Sequence, residues 1–172
     1  MNDTAETDLV FMREAIAEAE LAAAEGEVPV GAVAVYKNEI VGRGRNQVIT
    51  LLDPSAHAEM LAIRAAAKTI GNYRLNEVTL YVTLEPCPMC AGLLVHSRIS
   101  RLVFATPDLK TGAAGSVFSL LQAPQLNHQV AVTQGVCQSQ CATMLSEFFR
   151  VRRAAKKRLR SLPSERIQDQ GK

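Results

Sequence analysis

A chain of 172 residues, 48 % hydrophobic and 21 % charged, has the size and composition of one globular domain with a sound core, which excludes an intrinsically disordered protein. It has no run apolar enough to span a bilayer, and Met1 to Asp8 is acidic and polar where a secretory leader is basic and then apolar. The expected location is therefore the cytoplasm, with no membrane partner and with the four cysteines as thiols or metal ligands. The net charge of +2 says little, but its distribution is uneven: the first 27 residues are acidic, while Arg150, Arg152, Arg153, Lys156, Lys157, Arg158 and Arg160 crowd one short stretch.

Leu9 to Glu25 carries apolar residues at helical spacing (Val10, Phe11, Ala15, Ile16, Ala19), and Gly26 is placed to end that helix. Val30 to Tyr36 and Glu39 to Asn46 form an expected hairpin turning at Lys37-Asn38. Asp53-Pro54-Ser55 predicts a helix start, and the helix runs to about Lys68. Val78 to Leu84 is a strand, Pro86 opens a helix through Val95, and Arg101 to Ala105 is the next strand. A helical stretch is expected around Ser116 to Leu121, a fifth strand at Gln129 to Gln134, and a long terminal helix from Ser139 to Arg160. Residues 1–160 then make a single domain and 161–172 a disordered tail.

Strands alternating with helices predict an α/β layered domain. More than twenty residues separate the fourth strand from the fifth. A tight hairpin needs only a few, whereas a parallel crossover needs a dozen or more, so the last two strands are expected to run parallel.

The chemistry concentrates in His57-Ala58-Glu59 and Pro86-Cys87-Pro88-Met89-Cys90. Structural zinc sites are closed by four protein ligands, while catalytic ones use three and keep a position for water. One His and two Cys match the second kind. Cys87 and Cys90 are three apart, which puts both sulfurs on one helix face, in a first turn where the positive dipole end favours thiolate. Strand–helix junctions at one sheet edge can bring His57 to the same ion. In such a site zinc lowers the pKa of its water toward about 7. A carboxylate beside it, Glu59, can move that proton to a ring nitrogen and then to a leaving amine, which is hydrolytic deamination of an aminopurine or aminopyrimidine.

Beyond this pattern, the chain resembles the bacterial tRNA-specific adenosine deaminases of the cytidine/deoxycytidylate deaminase superfamily, whose H-x-E…P-C-x-x-C signature it carries. The resemblance runs from Glu27 to Arg153. It includes Glu27–Val33, Asn46, Asp53–Glu59, Asn72–Leu75, Thr79–Gly92, His96–Ile99, Asp108–Ser116 and Phe148–Arg153. It implies a three-layer fold with a central five-stranded mixed sheet flanked by helices. It further implies one zinc per chain on His57, Cys87 and Cys90, Glu59 as proton shuttle, and Asn46 as a hydrogen-bonding group for a flipped base. The implied substrate is the wobble adenosine (position 34) of a tRNA anticodon stem-loop, converted to inosine by a homodimer. Asp108 and Lys110 fall where the family contacts the loop backbone and ribose, and Phe148, Phe149, Arg150, Arg152 and Arg153 where its terminal helix meets RNA. Thr106-Pro107 departs from the usual form of that loop.

Plainer roles compete at several positions. Cys137 or Cys141 could close the zinc site and make it structural, or pack as small apolar residues. Asn46 could merely cap or end a strand, and Asp108 is a good turn former before Lys110-Thr111-Gly112. The basic helix could be a solvated face, and His96 and His128 lack ligand spacing. A deaminase of a free base or nucleoside shares the same zinc chemistry, and a non-catalytic RNA-binding subunit is the alternative from another class.

Overall fold

A computed structural model of the chain describes residues 3–161. The expected tail from Ser161 onward lies outside the described residues but for its first member. The elements in order are α1 (Asp3–Ala24), β1 (Gly31–Tyr36), β2 (Glu39–Arg45), α2 (Val48–Leu51), α3 (Ala58–Ile70), β3 (Thr79–Leu84), α4 (Pro88–His96), β4 (Arg101–Thr106), β5 (Ala131–Gln134) and α5 (Gln138–Ser161). Among the described residues no helix is long and apolar enough to cross a membrane.

The five strands form one sheet in the order β2-β1-β3-β4-β5. β1 pairs antiparallel with β2 and β3, while β3, β4 and β5 run parallel; for β4 and β5 this is what the long connection between them predicts. Lys37 and Asn38 both take positive φ, the geometry of a two-residue hairpin turn whose twist matches its strands. Side chains alternate across the sheet. Ala32, Ala34, Leu80, Val82, Leu102 and Phe104 pack under α3 and α4. Val33, Val35, Tyr81, Val103 and Ala105 pack under α1 and the start of α5. The result is the three-layer mixed-sheet fold that the resemblance implies.

Small residues set how closely α3 lies on the sheet edge. A Cβ at Gly44 would overlap the carbonyl of Ala58 and the amide of Ala62, and one at Gly42 would overlap the next turn, at Ala62 and Ala66. Gly against Ala therefore seats the α3 backbone directly on β2. That contact fixes the first turn of α3, immediately after His57.

Four local expectations are corrected. The first helix begins at Asp3, six residues early, because Asp8 inside it is buried and takes both guanidinium N–H2 groups of Arg101 (2.8 and 2.7 Å) and the Tyr81 hydroxyl (2.9 Å). Asp53-Pro54-Ser55 does not start a helix. Asp53 Oδ1 accepts the Ser55 backbone N–H at 2.8 Å in a local turn, and α3 begins only at Ala58. Pro86 does not open α4 either: Pro88 holds the first helical position, since a residue before proline is pushed out of the helical region and Cys87 is accordingly extended. Ser116 to Leu121 is not an α-helix but a loop ending in a short 3₁₀ turn at Leu120–Gln122.

Candidate active site

Two helix N-termini meet at the site. His57 is the N-cap residue of α3 and Cys87 that of α4, both with extended backbone, and Cys90 lies in the first turn of α4. Of His57 and Glu59, only Glu59 is inside the helix. His57 Nδ1 lies 3.7 Å from the sulfur of Cys87 and 3.5 Å from that of Cys90. A tetrahedral ion with zinc's bond lengths to sulfur and imidazole nitrogen requires N···S separations of roughly 3.5 Å. The donor atoms of the three residues all lie within 4.8 Å of one another, and two soft thiolates with one imidazole suit zinc.

Cys137 and Cys141 do not complete this set. Cys141, 2 % exposed, packs with Cys137, Met12 and Ile16 on the opposite face of the sheet. Burial pushes the Cys141 thiol up to about 12, the behaviour of an inert core sulfur. A zinc site closed by a fourth cysteine is thereby overturned. His128 is also structural, its Nε2 lying 2.7 Å from the Ile99 carbonyl oxygen.

The electrostatics of the four central residues are linked. A hydrogen bond from Cys90 is the largest influence on the Cys87 thiol; with the hydrogen bond from His57 it overcomes burial and brings the thiol down to about 4. The Cys90 thiol, which gives that bond and is itself buried, is pushed up. His57 is raised, chiefly by its hydrogen bond to Cys87 against the opposing effect of burial. Glu59 is 4 % exposed, and burial lifts its carboxyl to about 7.

Glu59, His57, Cys87 and Asn46 line one cavity of about 110 Å³. Asn46 does cap a helix: its Oδ1 accepts the Ala58 N–H at 3.0 Å, which satisfies an orphan amide of α3. Its side-chain N–H2 is the donor left for a ligand. Val28, Val30, Leu84, Glu85, Asp108 and Thr111 complete the walls. Of these only Asp108 had been singled out individually; the others lie within the stretches Glu27–Val33, Thr79–Gly92 and Asp108–Ser116.

The cavity adjoins a larger groove of about 390 Å³ that shares Val28, Leu84, Asp108 and Thr111 with it and adds Lys110, Leu145 and Phe149. Asp108 forms the turn considered for it and also lines both cavities. Its oxygens accept the backbone N–H of Lys110 (2.9 Å) and the hydroxyl of Thr111 (2.7 Å), and it faces cavity and groove. Burial works against its charge, but those hydrogen bonds prevail and hold its carboxyl below the usual range.

On α5, Phe149 is 41 % exposed and lines the groove; it also lines a second hollow with Arg152, Arg153 and Lys156. Leu145, Phe149, Arg152, Arg153 and Lys156 share one helical stripe, so a basic face continues outward from the groove. Phe148 is half-buried, packs edge-on against Phe149 and carries the Arg152 guanidinium 5.6 Å over its ring. Arg150 is not brought to the groove: it is off the stripe, paired with Glu147 at 2.8 Å.

Residues 5–106 match the family model described as cytidine and deoxycytidylate deaminase zinc-binding region. A tRNA-specific adenosine deaminase of Bacillus subtilis (strain 168) is 49 % identical over 158 residues, covering 92 % of this chain and 98 % of that one. One from Haemophilus influenzae is 52 % identical over 153 residues, covering 88 % of each. A solved structure from work on A-to-I editing by tRNA:A34 deaminases superposes with a TM-score of 0.76 at 40 % identity, over 78 % of this chain and 98 % of that one.

Proposed function

The chain belongs to the zinc-binding cytidine and deoxycytidylate deaminase family, in its tRNA-specific adenosine deaminase branch, and we propose that it converts the wobble adenosine of a tRNA anticodon to inosine. The observation that carries the chemistry is a three-residue donor set, His57, Cys87 and Cys90, of which His57 and Cys87 line one pocket with the buried Glu59. Three protein ligands are the number of a catalytic site. When bound there, zinc supplies Lewis acidity and makes water a better nucleophile near neutral pH.

The chain's own residues do the rest. In the net reaction water adds at C6 of the adenine and ammonia leaves. Glu59, whose carboxyl burial raises to about 7, takes one proton from the attacking water and delivers it to the ring nitrogen. It then takes the second water proton, now on the new C6 hydroxyl, and passes it to the leaving amine, so that ammonia departs and the C6 carbonyl forms. The Asn46 amide is pinned by the α3 backbone and donates to the flipped base. Asp108 and Lys110 wall the groove where the flanking backbone and ribose lie. Phe149 offers a stacking face, and Arg152 and Arg153 sit beyond it for phosphates; Phe148 supports Arg152, and Arg150 acts only at long range. An anticodon loop suits such a pocket, because its bases are already partly unstacked and cheap to extrude.

Residues 1–160 work as one domain, in the cytoplasm, as a homodimer. An apolar hollow of about 220 Å³, lined by Ile63 and Ala67 of α3, Leu93 of α4 and the exposed Tyr73, supports a partner surface. Light scattering that returns a monomer mass at micromolar concentration removes the dimer from the proposal. Incubation with total tRNA, digestion and mass spectrometry tests the activity itself. One zinc per chain and inosine formation are expected, while zinc without inosine contradicts the proposal.

A further inference from the structure

Glu85 sits one residue before Pro86-Cys87, yet its carboxylate serves a different segment. It is 2 % exposed. Oε1 accepts the backbone N–H of Ala114 at 2.9 Å and of Ser116 at 3.0 Å. Oε2 accepts the backbone N–H of Asp108 at 2.9 Å and the Ser116 hydroxyl. Gly112 presses on the same carboxylate, and a Cβ there would overlap it and the Asp108 carbonyl oxygen. A loop folded against a core must find acceptors for its amides, and here one side chain satisfies three of them. Between those anchors lie Lys110 and Thr111, which with Asp108 wall the groove.

We infer that Glu85 is a positioning residue for substrate binding: it holds residues 108–116 as a fixed wall and acts through Asp108 and Thr111. The inference rests on the groove being the RNA-binding surface. It requires a carboxylate and not merely a polar group of the same size. Glutamine has one oxygen and one N–H2: with its oxygen on the Ala114 and Ser116 amides, the Ser116 hydroxyl can turn to accept from the N–H2, but the Asp108 N–H then faces another donor, and the reverse orientation sets two amides against it. Glu85→Gln therefore preserves volume and removes the anchor of Asp108.

The test is steady-state deamination of an anticodon stem-loop, with zinc content and amide exchange measured in parallel. Wild-type protein comes first: if it makes no inosine, the RNA assignment fails, whatever Glu85 does. Given activity, Glu85→Gln should keep its zinc and a kcat within about twofold while KM rises about tenfold, the pattern of lost uniform binding. Faster exchange at Asp108 should accompany it. Ser116→Ala removes only the hydroxyl bond and should raise KM about threefold, as expected of one modest hydrogen bond; it decides the matter if Glu85→Gln does not fold. Loss of zinc, or a fall in kcat with KM unchanged, would show that Glu85 serves the metal-ligating turn instead. Wild-type KM in both variants overturns the inference outright.

Discussion

The catalytic pocket and the groove beside it are assembled by opposite means. The pocket's reactive groups come from two short stretches, His57–Glu59 and Cys87–Cys90, each at the N-terminus of a helix that the sheet edge holds in place. The groove draws its walls from four separated segments, at Val28, Leu84, residues 107–111 and the α5 pair Leu145 and Phe149. Glu59 and Cys90 are buried, His57 and Cys87 half-buried, and the four are linked to one another electrostatically, while Lys110 and Phe149 stand exposed. The reactive groups are thus set locally and the groove through long-range packing, which allows the groove to vary without rebuilding the pocket.

Breaking the pocket should have the largest effect. Glu59→Ala is expected to keep zinc and the stem-loop Kd while turnover falls about 10²- to 10⁴-fold, measured by single-turnover inosine formation. Gly44→Ala strikes the support beneath it. The new methyl meets the α3 backbone at Ala58, so urea unfolding should show a loss of about 1–3 kcal/mol, with weaker zinc retention against a chelator.

Breaking the groove should affect binding alone. Arg152→Ala with Arg153→Ala should leave kcat in place and weaken stem-loop binding about tenfold. Its log Kd should depend less steeply on log salt, by about 0.7 per lost phosphate contact to a single strand. Asn46 stands at the boundary and sharpens the comparison. Asn46→Ala should cost about 1 kcal/mol of stability through the lost cap. Asn46→Asp keeps the cap acceptor and removes the N–H2, so normal stability with reduced turnover assigns Asn46 to the base; normal turnover would leave it a cap.

This division also governs what the sequence revealed. The zinc donors and Glu59 were legible because three-residue spacings at helix starts bring side chains together with little help from the rest of the fold. The parallel β4–β5 pair was legible from chain length alone. The start of α4 was misplaced by two residues, since Pro86 and Pro88 compete for the first turn and only the backbone restriction on Cys87 decides between them. The start of α3 was hidden because its cap, Asn46, arrives from the end of β2, twelve residues upstream. Ser116 to Leu121 looked helical because its own residues do not show that Glu85 takes the amide and hydroxyl of Ser116. Arg150 was grouped with its neighbours by charge, and only helix phase separates it from Arg152 and Arg153.

The central claim, chemistry from the pocket and substrate choice from the groove, is tested most directly by comparing kcat/KM for an anticodon stem-loop bearing adenosine at the wobble position with that for free adenosine. The account predicts inosine in the stem-loop, abolished by Glu59→Ala, and free adenosine turned over at least about 10³-fold less efficiently, as expected when remote binding energy is used at the reacting centre. Equal efficiency on the two substrates would contradict it.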